Sequence, residues 1–127
     1  METTKAGRVR EYAAQTVGTT DLYSHGLLRS FMYTDGVRYM AETCGAYWLV
    51  DLIASHQLSA KVRREPFQVW YLKTRADGSW VAEAWTDSPL NGKRIVRQEI
   101  PYSDFPTDLA PFRLYVENRT LMLPEER

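Results

Sequence analysis

The spacing of apolar residues along the chain changes period near residue 65. Upstream it is helical. Val9, Tyr12, Ala13, Thr16 and Val17 share one face of a first helix that Gly18 would end. Thr20 or Asp21 is placed to cap a second helix with Tyr23, Leu27, Leu28, Phe31 and Met32 on its core side, weakened by Gly26 within it. Val37, Met40, Ala41 and Cys44 recur at i, i+3, i+4, i+7, which predicts a short third helix after Thr34 and Asp35. Gly45 breaks or kinks it, and residues 46 to about 57 form a fourth helix that is apolar almost throughout. Residues 59–65 add one further turn before Pro66.

Downstream the pattern is that of strands. "FQVWYLKTR" and "WVAEAWT" are rich in β-branched and aromatic residues and flank an Asp77-Gly78 turn, so residues 67–86 read as a hairpin. "SPLNG" makes a second turn and "KRIVRQEI" a third strand. "PYSDFPTDLAP" is a loop with three prolines, and "FRLYVE" and "TLMLP" pair around Asn118 and Arg119. The expected fold class is α+β, with about four N-terminal helices packed on a C-terminal antiparallel meander of about five strands. The chain reads as one domain, 1–127: an accessory N-terminal helix over 1–18, a helical part over 19–65 and the sheet over 66–124.

Composition narrows the function classes. At 127 residues the chain can bury its own core. Lys plus Arg and Asp plus Glu number 16 each, a formal net charge of zero. A dedicated nucleic-acid binder would carry a basic excess, so that role ranks lowest. A nucleic-acid mimic would be strongly acidic, which this chain is not. One cysteine cannot close an internal disulfide, and the N-terminal residues hold no apolar leader run. The longest nearly apolar stretch, 46–54, is interrupted by Asp51 and is too short to span a bilayer. The expected location is the cytoplasm, with no membrane association.

The run "ETCGAYWLVDLIASH" invites a catalytic reading, because Cys-Gly-Ala begins like the nucleophile segment of papain-type proteases. The nucleophile of that pattern is its second cysteine, and Tyr47 stands there. A phenol with an ordinary pKa of about 10 does not replace an activated thiolate. Cys44 is better read as a core residue. Asp51 falls with Tyr47 and Ser55 on one stripe of the fourth helix, opposite Trp48, Leu49, Leu52 and Ile53. That stripe is either a polar seam or part of a site in which an aromatic ring and an acid hold a cationic or hydroxylated group. In "YTDGV", Asp35 is placed to cap the following helix. His25 and His56 lie in no metal-ligand pattern, and no nucleophile elbow or phosphate loop is present. No catalytic residue, metal or cofactor is therefore assigned. A small-ligand pocket or enzyme site, if one exists, would gather His25, Tyr33, Asp35, Tyr47 and Asp51.

The aromatic residues number sixteen, and many fall in the strands. In "FQVWYLK" both alternation sets are apolar: Phe67, Val69 and Tyr71 on one face, Trp70 and Leu72 on the other. Such a strand is covered on both faces or offers one to a partner, a homodimer included. Trp70, Trp80 and Trp85, with Arg97 at the rim, are the expected contact residues, since Trp and Tyr are frequent interface anchors.

The segments "LYSHGLLRSFMYTDGVRYMAETCGAYWLVDLIAS", "FQVWYLK", "DGSWVAEAWTD", "QEIPYSDFP" and "LMLP", in that order over roughly residues 19–124, resemble a family of small bacterial, plasmid and phage proteins that forms a domain of unknown function. Its pattern includes YTDGV, GAYW and EIPY(S/T)DFP runs. The resemblance implies no catalytic residues. Its setting in mobile elements implies a protein that acts by binding, such as an inhibitor of a bacterial defence system of the anti-CRISPR kind. The leading expectation is thus a non-enzymatic module that binds a protein of a bacterial defence or host complex.

Overall fold

A computed structural model describes residues 4–15 and 21–127. The elements run α1 (Lys5–Gln15), β1 (Leu22–Ser24), β2 (Met32–Thr34), α2 (Asp35–Cys44), α3 (Tyr47–His56), α4 (Ala60–Arg63), β3 (Phe67–Thr74), β4 (Trp80–Trp85), β5 (Arg94–Ile100), β6 (Phe112–Glu117) and β7 (Thr120–Met122). Single 3-10 turns at Thr107–Leu109 and Pro124–Glu126 complete them. The fold is mixed α and β, as the change of period implies. The expected end of the first helix at Thr16, Val17 and Gly18, and the expected cap at Thr20, lie outside the described residues.

All the described strands join one sheet of seven, in the order β1-β2-β7-β6-β3-β4-β5. Five strands in a plain antiparallel meander were expected, and the sheet departs from that in three ways. Only β3, β4 and β5 run as a meander. β6 returns to pair with the other edge of β3 after the proline-rich loop. β2 lies parallel to β7, with Tyr33 beside Leu121.

The two extra strands occupy the segment that reads as a second helix. Residues 22–34 form an antiparallel β1–β2 hairpin in which Leu22 opposes Thr34 and Tyr23 opposes Tyr33. Two features override the helical spacing. The His25 ring holds the amides of Leu27 and Leu28, at 3.3 and 3.0 Å, in a turn that no helix contains. Pairing of β2 with β7 supplies backbone partners that a helix would have supplied internally. Phe31 is fully buried as expected, whereas Leu27 is 96 % exposed.

The helices after Thr34 follow the sequence closely. Thr34 is extended (φ −82°, ψ 168°) and its hydroxyl accepts from the Val37 amide at 3.2 Å, so Thr34 is the N-cap of α2. This corrects the capping role expected of Asp35, which is the first helical residue. Gly45 ends α2 at φ 61°, a left-handed conformation that favours glycine. The chain then turns into α3, whose Leu49, Val50, Ile53 and Ala54 are buried.

The helices lie against one face of the sheet. Leu49 and Ile53 of α3 meet Trp70, Leu72, Ala82 and Leu114. α1 sets Val9 into the same core and stacks Tyr12 on Tyr39 of α2, ring centroids 4.5 Å apart. Polar groups on this face are paired. Gln57 and Gln68 exchange amide hydrogen bonds at 2.9 Å, and the Trp70 indole donates to Gln68 at 2.9 Å. His56 bonds Gln98 at 2.7 Å and tilts against Trp70.

Candidate functional site

The β1–β2 turn leans on the polar stripe of α3 and brings four of the five expected pocket residues together. His25, Tyr33, Tyr47 and Asp51 line a cleft of about 280 Å³. It continues into a second hollow of about 340 Å³ beside Leu27, Leu28, Ala54 and Leu58. Asp35 is not among them. It sits at the start of α2, where its carboxylate accepts from the Gly36 amide at 3.1 Å.

Hydrogen bonding defines what this cleft can do. His25 Nδ1 accepts from the amides of Leu27 and Leu28, so that nitrogen carries no proton. Nε2 then holds the ring proton and donates it to Asp51 at 2.8 Å. Both nitrogens are engaged, which leaves no free lone pair for a general base. The Asp51 side chain is 69 % exposed and therefore solvated. Tyr47 donates to Glu42 at 3.2 Å, and burial followed by that contact pushes its phenol up. Arg38 and then Tyr47 hold the Glu42 carboxyl below the ordinary range. Cys44 is 2 % exposed at the end of α2, and burial pushes its thiol up, the reverse of an activated nucleophile. Among the described residues, no three His, Cys, Asp or Glu side chains gather to hold a metal ion. The cleft thus brings together one imidazole, two phenols and one carboxylate.

The other surface is the opposite sheet face, which α1 reaches at its border, where Val9, Arg10 and Ala13 share a hollow of about 350 Å³ with Tyr71 and Arg113. Directly opposed residues on neighbouring strands share a face, so the registers define its rows. One row across β6, β3, β4 and β5 reads Arg113, Tyr71, Glu83, Arg97. The next reads Tyr115, Val69, Trp85, Arg94. Val69 and Glu83 are nevertheless only 4 % and 7 % exposed. Long neighbours cover Glu83. Lys73 and Arg94 reach Glu83 at 2.9 and 3.4 Å, and the Trp85 indole donates to it at 3.3 Å. Burial pushes the Glu83 carboxyl up, but Lys73, Trp85 and Arg94 outweigh this and hold it below the ordinary range.

Cations also stack on the aromatic rings of this face. Lys73 lies 5.5 Å from the Tyr71 ring, Arg113 5.5 Å from Tyr115, and Arg127 4.3 Å from Phe67.

Of the four expected contact residues, Trp85 and Arg97 belong to this face. Trp70 and Trp80 do not: each is 2 % exposed beneath the helices, where Trp80 packs edge-on against Phe105. Their assignment to a contact surface is corrected, since a residue in the core cannot touch a partner. Phe67, Tyr71 and Tyr115 are half-buried aromatic residues of this face. Alternation carries this signal, because Trp80 and Trp85 are an odd number of residues apart and must face opposite ways.

The chain belongs to DUF6876, a family of unknown function that matches residues 8–127. The span takes in most of α1 and the last residues, beyond the 19–124 that the quoted runs cover. No curated protein and no solved structure matches the chain.

Proposed function

We propose that this DUF6876 member is a non-enzymatic binding module whose uncovered sheet face takes a protein partner. One observation carries the reading. α2 and α3 pack on one side of the sheet, and the other side, which α1 reaches only at the Tyr71–Arg113 border, presents Phe67, Tyr71, Trp85 and Tyr115 interleaved with Arg94, Arg97 and Arg113. Half-open aromatic rings flanked by arginines have the composition of interface anchors. The partner we propose is a component of a bacterial defence or host complex. The protein itself would be encoded on a phage or other mobile element, reside in the host cytoplasm and act as an inhibitor. The engaged nitrogens of His25 and the exposed carboxylate of Asp51 support a role without catalysis.

Paired affinity capture from a bacterial lysate tests this, with the intact chain and a Tyr71→Ala/Trp85→Ala variant run beside a size measurement. The expected result is one protein retained by the intact chain and lost by the variant. Equal capture by both, or a self-associated chain with no other protein, refutes it.

A second reading is favoured by the convergence of His25, Tyr33, Tyr47 and Asp51 on one cleft. It assigns the cleft to a small ligand with an apolar body and a hydroxyl or amine. Small-molecule fragments that shift the NMR signals of Leu27 and Leu58 methyl groups would support it. Fragments that shift neither would remove it.

A further inference from the structure

We infer that the partner of the uncovered sheet face is an acidic protein surface, a conclusion that rests on the binding role proposed above. Three carboxylates of this face are each bound by cations. Glu83 is shared by Lys73 and Arg94, and Glu99 by Arg75 and Arg97, the latter two both at 3.0 Å. Glu117 is paired with Arg127 at 3.2 Å. Arg113 adds a guanidinium that lies over Tyr115. These groups number six cations and three carboxylates; Asp77 beside Arg75 and Glu125 beside Arg113 border the same face, which leaves an excess of one positive charge.

The arrangement gives the excess a direction. Arg113 and Arg97 end the same row, three strand spacings apart, or about 14 Å at roughly 4.8 Å per strand. Both are exposed, with the Tyr71 ring between them. Carboxylates projecting from a partner can share these guanidinium donors while an apolar contact falls on Tyr71 and Trp85. Self-pairing about a two-fold axis would instead bring cation rows against each other, which electrostatics disfavours. Single-stranded nucleic acid would find aromatic platforms here. However, Glu83, Glu99 and Glu117 lie between the cations, where a continuous phosphate chain would pass. Separate carboxylates fit an interrupted pattern better than a continuous polyanion does.

Three probes of equal length and charge magnitude discriminate: a glutamate-rich peptide containing one leucine, its lysine counterpart, and oligo-dT. The intact chain is titrated with each, with NMR detection of the Trp85 indole proton and the amides of β3 to β6. The glutamate peptide should shift those signals, with an affinity that falls as salt rises. Arg97→Glu/Arg113→Glu should weaken it about tenfold or more. A milder Arg97→Gln variant, which keeps the strand intact, should show a smaller loss of the same sign. Tighter binding of oligo-dT on the same face overturns the inference in favour of nucleic acid. Shifts confined to the helical side, or no binding of the glutamate peptide, overturn it as well. If that failure accompanies protein capture still lost in Tyr71→Ala/Trp85→Ala, only the acidic character is refuted. If the capture fails too, the binding role falls with it.

Discussion

Replacing Glu126 by alanine should destabilise the protein by an amount that depends on Gly36. The Glu126 side chain returns from the last turn of the chain to the start of α2 and is 8 % exposed. It accepts from the Thr34 hydroxyl at 2.6 Å, the Gly36 amide at 3.2 Å and the Leu123 amide at 2.9 Å. Hydrogen bonds to a charged group contribute about 1.5–3 kcal/mol each, but water re-enters part of the space, so Glu126→Ala should cost about 2–4 kcal/mol.

Gly36→Ala should also be costly, for a reason visible only in the folded chain. A Cβ at that position would stand 2.5 Å from the Glu126 carboxyl carbon and 2.5 and 2.7 Å from its oxygens. The carboxylate would have to leave its three donors. In the Glu126→Ala background the obstruction is gone, and Gly36→Ala should be neutral or stabilise by about 0.5–1 kcal/mol through helix propensity. Urea unfolding of both single variants and the double variant measures the coupling. The expected interaction energy exceeds about 1.5 kcal/mol. Costs that add to within about 0.5 kcal/mol would refute the close approach.

Three further outcomes follow from the same contacts. Long-range proton–nitrogen NMR correlations should show His25 Nδ1 unprotonated and Nε2 protonated at neutral pH, and His25→Ala should lose about 1 kcal/mol of stability through the freed turn amides. The reverse tautomer would overturn the account of the cleft. Cys44, buried and with its thiol pushed up, should react with a disulfide reagent only at the rate of global unfolding; fast labelling in native buffer would contradict its placement. Glu83 has its carboxyl held below the ordinary value of 4.5, so its contribution is complete above that value and lost as pH falls through the lower folded value. The stability gap between the intact chain and Glu83→Gln should therefore shrink on acidification below pH 4.5, and a gap that widens would reverse the assigned sign.

Much of the fold was legible where local chemistry and tertiary pairing agree. Gly45 separates α2 from α3 because a left-handed residue is needed there, and Asp77-Gly78 closes the β3–β4 hairpin with Gly78 at φ 87°. Residues 21–34 were not legible by spacing, since Tyr23, Leu27, Leu28 and Phe31 satisfy a helix as well as a hairpin. The deciding contacts come from β7, some 90 residues away, and from a histidine side chain that bonds its own turn. Gly26 and the extended conformation that an N-cap at Thr34 requires were the local hints. The site was half legible. The polar stripe of Tyr47, Asp51 and Ser55 stands exposed as the helical period implies. On the sheet, alternation separates Trp80 from Trp85, but only the position of the helices decides which of the two is covered. Glu126 gave no signal, because its partners lie at the opposite end of the chain.

Photo-crosslinking from defined positions tests the binding surface most directly. A benzophenone side chain is introduced at Tyr71 on the uncovered sheet face and, in a separate chain, at Leu58 beside the His25 cleft. Both chains are irradiated in a bacterial lysate. The account predicts a covalent adduct with one acidic protein from position 71 and none from position 58. Adducts from position 58 alone, or only dimers of the chain itself from position 71, would contradict it.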